Sequence, residues 1–113
     1  MKTSVVSCVV GLLLLVLTGD VIGAGISVNE VMPGCRAGLQ NDHDDLFLKG
    51  FCLGVVGALF QRGRGICPPR ESTVGQALRA VIRYIDSRPA RLHESFYDLA
   101  AEALRTAWPC PAQ

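Results

Sequence analysis

The sequence lacks the short motifs by which many enzymes and metal proteins are recognised. It has neither a Gly-x-Ser-x-Gly nor a His-Glu-x-x-His segment, and no two cysteines form a Cys-x-x-Cys pair. The glycines of segment 62–65 (Arg-Gly-Arg-Gly) are not followed by the Gly-Lys-Ser/Thr of a phosphate-binding loop. The acidic run 41–45 has no central glycine or closing glutamate for calcium. We therefore predict a protein that is not an enzyme and that uses no metal or cofactor.

The chain also lacks an excess of charge of either sign. Lysine and arginine together number 11, against 10 aspartates and glutamates, which gives a formal net charge of +1. A balanced charge does not attract nucleic acid or an anionic membrane over the whole surface. We predict that neither is a partner.

The N-terminal segment has the order of a secretory signal. Lys2 precedes an apolar run from Val5 to Leu17, and small and polar residues follow up to Ala24. The run is shorter than the roughly 20 apolar residues of a membrane-spanning helix. We predict a signal peptide at residues 1–24 and one mature domain at 25–113, with no membrane contact after cleavage. An uncleaved anchor extending to Ile26 is the alternative.

Two helices are predicted in the first half of the mature chain. Ser27-x-x-Glu30 is a capping pattern, and the helix that it starts is expected to kink or restart at Pro33 and to fade near Gly38. The acids that end segment 41–45 are expected to cap a second helix at 46–61. This second segment is apolar nearly all round, which predicts a buried central helix. Its glycines at 50, 54 and 57 share one face that a neighbouring helix could approach closely.

The second half contains two regular amphipathic helices. Thr73-x-x-Gln76 caps the first of them, which stops before Pro89. Ser95-x-x-Asp98 caps the second, which Pro109 terminates. The predicted fold is therefore all-α, a small bundle of about four helices.

Four of the five cysteines lie outside the predicted leader and are expected to form two disulfides, as exported chains of this size often do. Four cysteines allow three pairings. Cys67 precedes the third helix and Cys110 follows the fourth, so a helical hairpin places both at one end. We predict the bonds Cys67–Cys110 and Cys35–Cys52.

The turn between the third and fourth helices is the candidate binding surface. It carries two arginines and a histidine between two rigid helices, and arginines on a braced loop make good anchors for a partner's carboxylates. An ordinary polar connection is the alternative. The predicted partner-binding residues are Arg88, Arg91, Leu92, His93 and Glu94.

Several segments together resemble the type VI secretion amidase-immunity (Tai-like) family. They are residues 51–57 (Phe-Cys-Leu-Gly-Val-Val-Gly), 66–69 (Ile-Cys-Pro-Pro), 72–76 (Ser-Thr-Val-Gly-Gln), 85–89 (Ile-Asp-Ser-Arg-Pro), Leu92-His93 and 108–111 (Trp-Pro-Cys-Pro). The resemblance covers nearly the whole mature chain, from about Met32.

The resemblance implies a periplasmic protein, often a homodimer, that binds a peptidoglycan amidase toxin of a type VI secretion system and occludes its active site. In this toxin–antitoxin-like arrangement the amidase effector is the partner. A periplasmic helical adaptor or stress-type chaperone without a toxin partner is the alternative function.

Overall fold

Four helices account for most of the residues that the structure describes. The computed structural model describes residues 25–112, in which α1 spans Val28–Gln40, α2 Leu46–Arg62, α3 Val74–Asp86 and α4 Phe96–Ala107. A single 3₁₀ turn, Pro89–Arg91, lies between α3 and α4. Within these residues there are isolated backbone bridges but no strand. The predicted all-α fold of about four helices is confirmed, whereas the predicted leader lies outside the described residues.

Helices α3 and α4 form the predicted hairpin because each has a regular apolar stripe. Thr73 begins α3 with a reciprocal cap: its Oγ1 accepts from the N–H of Gln76 at 3.2 Å, and its own N–H donates to the Gln76 side chain at 3.0 Å. Phe96 at the start of α4 is fully buried, and its ring lies 6.5 Å from that of Phe51 on α2. The two stripes supply most of the core, which includes Ala77, Leu78, Val81, Ile85, Leu99, Ala100 and Leu104.

Helix α1 continues through Pro33, so the predicted restart there is wrong, and the helix ends at Gln40, near the predicted end at Gly38. The helix begins as predicted, since the Glu30 carboxylate accepts from the Ser27 N–H at 2.9 Å. A proline inside a helix removes one backbone hydrogen bond. Burial of Val31 and Cys35 on either side of Pro33 compensates for that loss, and the helix ends at Asn41, which is left-handed (φ 52°).

Helices α1 and α2 touch at a glycine. A Cβ added to Gly34 would collide with the backbone carbonyl of Leu48 and lie 2.6 Å from its Cβ. Beside this contact, the disulfide Cys35–Cys52 joins the two helices, and both cysteines are completely buried. Glycine is required at position 34 because the backbones approach more closely there than any side chain allows.

Helix α2 is not the buried central helix that its composition predicts. Only Cys52, Val56 and Leu59 are buried, and the side chains at its start are largely exposed, Leu46 by 66% and Phe47 by 75%. A Cβ on the glycines at 50, 54 or 57 would meet nothing within 4 Å. The neighbouring helices cover one side of α2 and leave an apolar, glycine-rich face open, which we call the α2 face: Leu46, Phe47, Gly50, Gly54 and Gly57.

Two of the predicted side-chain helix caps do not form. Asp45 precedes α2 in a left-handed conformation (φ 50°) and its side chain makes no capping hydrogen bond. Ser95 likewise makes no side-chain cap at α4. Instead, the N–H of Phe96 donates to the carbonyl of Ile26 at 3.0 Å, because the segment before α1 runs antiparallel to the start of α4.

The second disulfide, Cys67–Cys110, closes the open end of the α3–α4 hairpin. The Cys67 N–H donates to the carbonyl of Trp108 at 2.9 Å, and the Trp108 ring meets Phe60 of α2 edge-on at 5.9 Å. The structure thus has the Cys67–Cys110 bond that the hairpin predicts and the Cys35–Cys52 bond between the two remaining cysteines.

Candidate functional site

The candidate site is the connection between α3 and α4, residues 87–95, which we call the α3–α4 turn. Pro89 starts its 3₁₀ turn, and successive backbone hydrogen bonds of 3.1 Å, Arg91 N–H to Arg88 and Glu94 N–H to Arg91, fold it back on itself. All five predicted partner-binding residues lie in this turn. They differ in the contacts that they make within the protein, and these contacts determine which side chains are available to a partner.

Backbone hydrogen bonds attach the α3–α4 turn to α1. The N–H of Val28 donates to the carbonyl of Glu94 at 2.9 Å, and the N–H of Asn29 donates to that of Leu92 at 3.0 Å. These donors belong to the first turn of α1 and would have no partner within their own helix. The Leu92 side chain is half-buried against the core. The turn is thus held by α1 as well as by α3 and α4 at its two ends.

Arg91 joins the turn to α4. Its Nε donates to Glu94 Oε2 at 2.7 Å and its Nη1 donates to Glu102 Oε2 at 2.6 Å. The bonds to Glu94 and Glu102 raise the pKa of Arg91, and the guanidinium in turn lowers the pKa of Glu94. Charge-assisted bonds from one planar guanidinium to two carboxylates fix its orientation. Arg91 is therefore committed within the protein.

Glu102 is a site residue that its sequence position does not reveal. It accepts from the hydroxyl of Tyr84 on α3 at 2.6 Å as well as from Arg91, and these two contacts lower its pKa, Arg91 more strongly. Arg91 lies in the turn before α4 begins at Phe96, so the two residues do not share a helix and no spacing within one helix links them. Only the antiparallel return of α4 brings this carboxylate to the turn.

Arg88 lies flat on an aromatic ring. Its guanidinium carbon is 3.5 Å from the centroid of the Tyr84 ring, and its Nη1 donates to the carbonyl of Tyr84 at 3.0 Å and to Ser87 Oγ at 2.6 Å. Stacking and hydrogen bonds orient the side chain, and its Nε and Nη2 donate to no described group. Two nitrogens of the Arg88 guanidinium, Nε and Nη2, are therefore available to donate hydrogen bonds to a partner.

These contacts divide the predicted partner-binding residues into two groups. Arg91, Glu94 and Leu92 hold the turn together, whereas the half-buried Arg88 keeps guanidinium donors without a described partner and His93 is exposed. Both arginines of the turn are predicted anchors. The structure pairs Arg91 internally and leaves that role to Arg88.

A groove lies beside the turn, between α1 and the end of α3, with a cavity volume of about 440 Å³. Met32, Ile85 and Leu92 supply apolar lining, and the bidentate pair Arg36–Asp86 (2.6 and 3.2 Å) lies at its edge. This pairing lowers the pKa of Asp86. The groove continues the exposed surface of the α3–α4 turn toward α1.

The part of the chain that the structure describes contains no cluster of three or more metal-ligating side chains and no helix of the length and hydrophobicity needed to span a bilayer.

We expect acid to destabilise the protein through the carboxylates around Arg91. Glu94 and Glu102 have a lower pKa folded than unfolded, so their contribution is complete above about pH 4.5, the ordinary glutamate value, and is lost as pH falls through the lower folded value. Arg91→Met removes the largest part of that contribution, while Tyr84 still donates to Glu102. Its melting temperature should lie below that of the unmodified protein at pH 7, and the difference should shrink below about pH 4.

Thermal melts of both proteins from pH 7 to pH 2.5 would check this. The control is Arg83→Met, which removes an exposed arginine without an ion pair among the described residues. A difference for Arg91→Met that does not change with pH would contradict the assignment.

The geometry defines a small, disulfide-bonded helical protein whose helix-joining turn is held from three sides. The family model described as Rap1a immunity proteins matches residues 27–110, which is most of the chain. The protein therefore belongs to the Rap1a immunity protein family, whose members are immunity proteins against type VI secretion effectors. No curated protein and no solved structure shows significant similarity to the chain. Family membership implies a toxin effector as the partner.

Proposed function

We propose that this protein is a periplasmic immunity protein that binds a peptidoglycan amidase toxin of a type VI secretion system and occludes its active site. The observation that carries the proposal is the braced α3–α4 turn in a chain of the Rap1a family. The sequence resemblance to amidase-immunity proteins supports the amidase as the toxin. Such a protein acts by binding, without catalysis of its own and without a cofactor.

The proposed location follows from the N-terminal sequence and the disulfides. A leader at residues 1–24 would deliver the domain at 25–113 to the periplasm, where disulfides persist and where a cell-wall amidase acts. After cleavage the domain would be free of the membrane.

Rigidity is what would make the turn an effective inhibitor. Ordering a loop on binding costs free energy, and a loop that is already ordered avoids that cost. The bonds from Arg91 to α4 and from α1 to Leu92 provide this order before the partner arrives. Arg88 and His93 would then contact the amidase, and Arg91, Leu92 and Glu94 would position them.

We expect Arg88→Ala/His93→Ala to weaken amidase binding by about 30-fold, because the loss of hot-spot side chains costs about 2 kcal/mol or more. Calorimetry or inhibition assays with a type VI amidase from the same genome would measure the change. The matched control, Arg70→Ala/His43→Ala, removes the same residue types at exposed positions elsewhere.

Equal affinities for the two variants would show that the turn is not the inhibitory surface. No binding of the amidase by the unmodified protein would remove the proposed function.

The resemblance implies a homodimer, and the α2 face is the surface through which two copies would bind each other. Phe47 is exposed by 75% and the glycines leave space for a second helix to approach closely. We propose that a second copy of this chain covers the face. Sedimentation velocity should give a dimer for the unmodified protein and a monomer for Phe47→Glu, and a monomer in both cases would exclude it.

The same exposed apolar residues favour a second function, a periplasmic helical adaptor or stress-type chaperone without a toxin partner. Exposed apolar patches bind other proteins as well as further copies. Suppression of the aggregation of unfolded envelope proteins, abolished by Phe47→Glu, would support this function in place of immunity.

A further inference from the structure

A second groove runs between α3 and α4 on the side away from α1. Small residues form its floor, Ala80 on α3 and Ala103, Thr106 and Ala107 on α4, so the two antiparallel helices leave a recess of about 410 Å³. An adjoining recess of about 290 Å³ shares Ala80 and Ala107 and reaches Trp108. We call the two recesses together the arginine groove, for the residues along its edge.

Arginines line one side of this groove. Arg79 and Arg83 are exposed residues one helical turn apart on α3, and Arg88 lies at the end nearest the α3–α4 turn. Neither Arg79 nor Arg83 forms an ion pair or a side-chain hydrogen bond with any described residue. Like charges at this spacing destabilise a helix, so these two arginines do not serve the stability of α3.

No carboxylate of the described residues lines either recess of the groove. Glu102 on α4 accepts from Arg91 and Tyr84 and also attracts Arg88, but it does not reach Arg79 or Arg83. Glu71 lines a further recess that adjoins the far end of the groove at Gln76 and Trp108, and it pairs with neither arginine. The groove therefore has an apolar floor of short side chains and, at Arg79 and Arg83, an edge of positive charge with no ion-pair partner among the described residues.

We infer that the arginine groove is a docking surface for an acidic segment of the effector; this inference rests on the proposed function. Arg79 and Arg83 are about 6 Å apart along the helix axis, since four residues each rise 1.5 Å. Alternate side chains of an extended segment have nearly the same spacing, about 6.6 Å. The fitting partner therefore has aspartates or glutamates at alternate positions of an extended segment, whose backbone lies on the alanine floor.

Binding of such a segment in the groove would also orient the effector relative to the α3–α4 turn. A segment bound along α3 leads toward Arg88, whose guanidinium is already held on the Tyr84 ring. Contact with the groove would therefore align the effector before the turn enters its active site. Complementary charge of this kind raises the association rate and weakens as salt is added.

The first test needs no effector. A decaglutamate peptide is titrated into the oxidised, isotope-labelled protein at low salt and followed by NMR, with decalysine as the control peptide. Amide shifts should concentrate around Arg79, Arg83 and Thr106. Arg79→Ala/Arg83→Ala should weaken decaglutamate binding by about tenfold or more, whereas Arg62→Ala/Arg70→Ala, with the same loss of charge outside the groove, should change it by less than about twofold.

Equal weakening in the two variants would overturn the inference, since net charge alone would then explain binding. Tighter binding to vesicles of anionic lipid than to decaglutamate, with the same residues shifted, would also overturn it and assign the groove to a membrane surface.

The second test uses the type VI amidase with the same two variants. Arg79→Ala/Arg83→Ala should lower the association rate by about tenfold and flatten its salt dependence, with little effect from Arg62→Ala/Arg70→Ala. Binding of the amidase by the unmodified protein, with an association rate that Arg79→Ala/Arg83→Ala leaves unchanged, would overturn the groove as a docking surface and leave the proposed function intact. No amidase binding by the unmodified protein, with decaglutamate still in the groove, would remove the proposed function and the effector as the source of the segment.

Discussion

Gly34→Ala should lower the free energy of unfolding by about 3 kcal/mol, since a new methyl group must displace backbone rather than a flexible side chain. The added Cβ would lie 2.6 Å from Leu48 Cβ and collide with the Leu48 carbonyl. Helices α1 and α2 would have to separate, which strains the Cys35–Cys52 bond between them. Urea denaturation followed by circular dichroism would give the change.

The matched control for Gly34→Ala is Gly54→Ala on α2. A Cβ there would meet nothing within 4 Å, so the better helix propensity of alanine should raise stability by about 1 kcal/mol. A loss of stability for Gly34→Ala and a gain for Gly54→Ala would verify that α1 packs closely on one side of α2 and that the α2 face on the other side is open. A small effect at Gly34 would contradict the close approach of the helices. A loss at Gly54 at high protein concentration only would indicate that a second copy covers the α2 face.

Removal of the Cys67–Cys110 bond should cost about 4 kcal/mol, because it closes a long loop of 43 positions in the unfolded chain. The double substitution Cys67→Ser/Cys110→Ser tests this without leaving polar atoms in the core, since both residues are exposed. A domain of this length has a net stability of roughly 4–13 kcal/mol, so the loss is a large part of the total.

Denaturation of this variant beside Arg70→Ser/Ala112→Ser, which changes exposed neighbours of the two cysteines, would isolate the disulfide. A loss below about 1 kcal/mol would contradict the chain-entropy argument. It would indicate that residual structure already holds the hairpin ends together in the unfolded state.

The sequence predicts the parts of the fold that local pattern determines. The stripes of α3 and α4 identify both helices and their shared core, and the positions of Cys67 and Cys110 at the hairpin ends are sufficient to pair them. Helix α2 shows where this reasoning stops. A segment that is apolar all round does not indicate which side its neighbours cover, so its open face becomes evident only from the structure.

The candidate site, like the fold, is predicted from the sequence only in part. The position of the α3–α4 turn follows from the two helices beside it, but the role of Arg91 does not. Glu102 reaches Arg91 only through the antiparallel packing of α4, and Ile26 replaces the expected Ser95 cap from nearly 70 residues away. Contacts between residues distant in sequence determined which side chains are committed and which are free.

The antiparallel contact between the start of the domain and α4 limits how the protein can be tagged. Ile26 accepts a hydrogen bond from Phe96, and Gly25 lies so close to Ser95 that a Cβ would approach its Oγ to 3.1 Å. A side chain at position 25 would press on Ser95 at the start of α4, and we expect a purification tag or fluorophore joined directly before residue 25 to disturb the same contact. Labels for binding measurements therefore belong after the exposed Pro111 and Ala112, at the opposite end of α4.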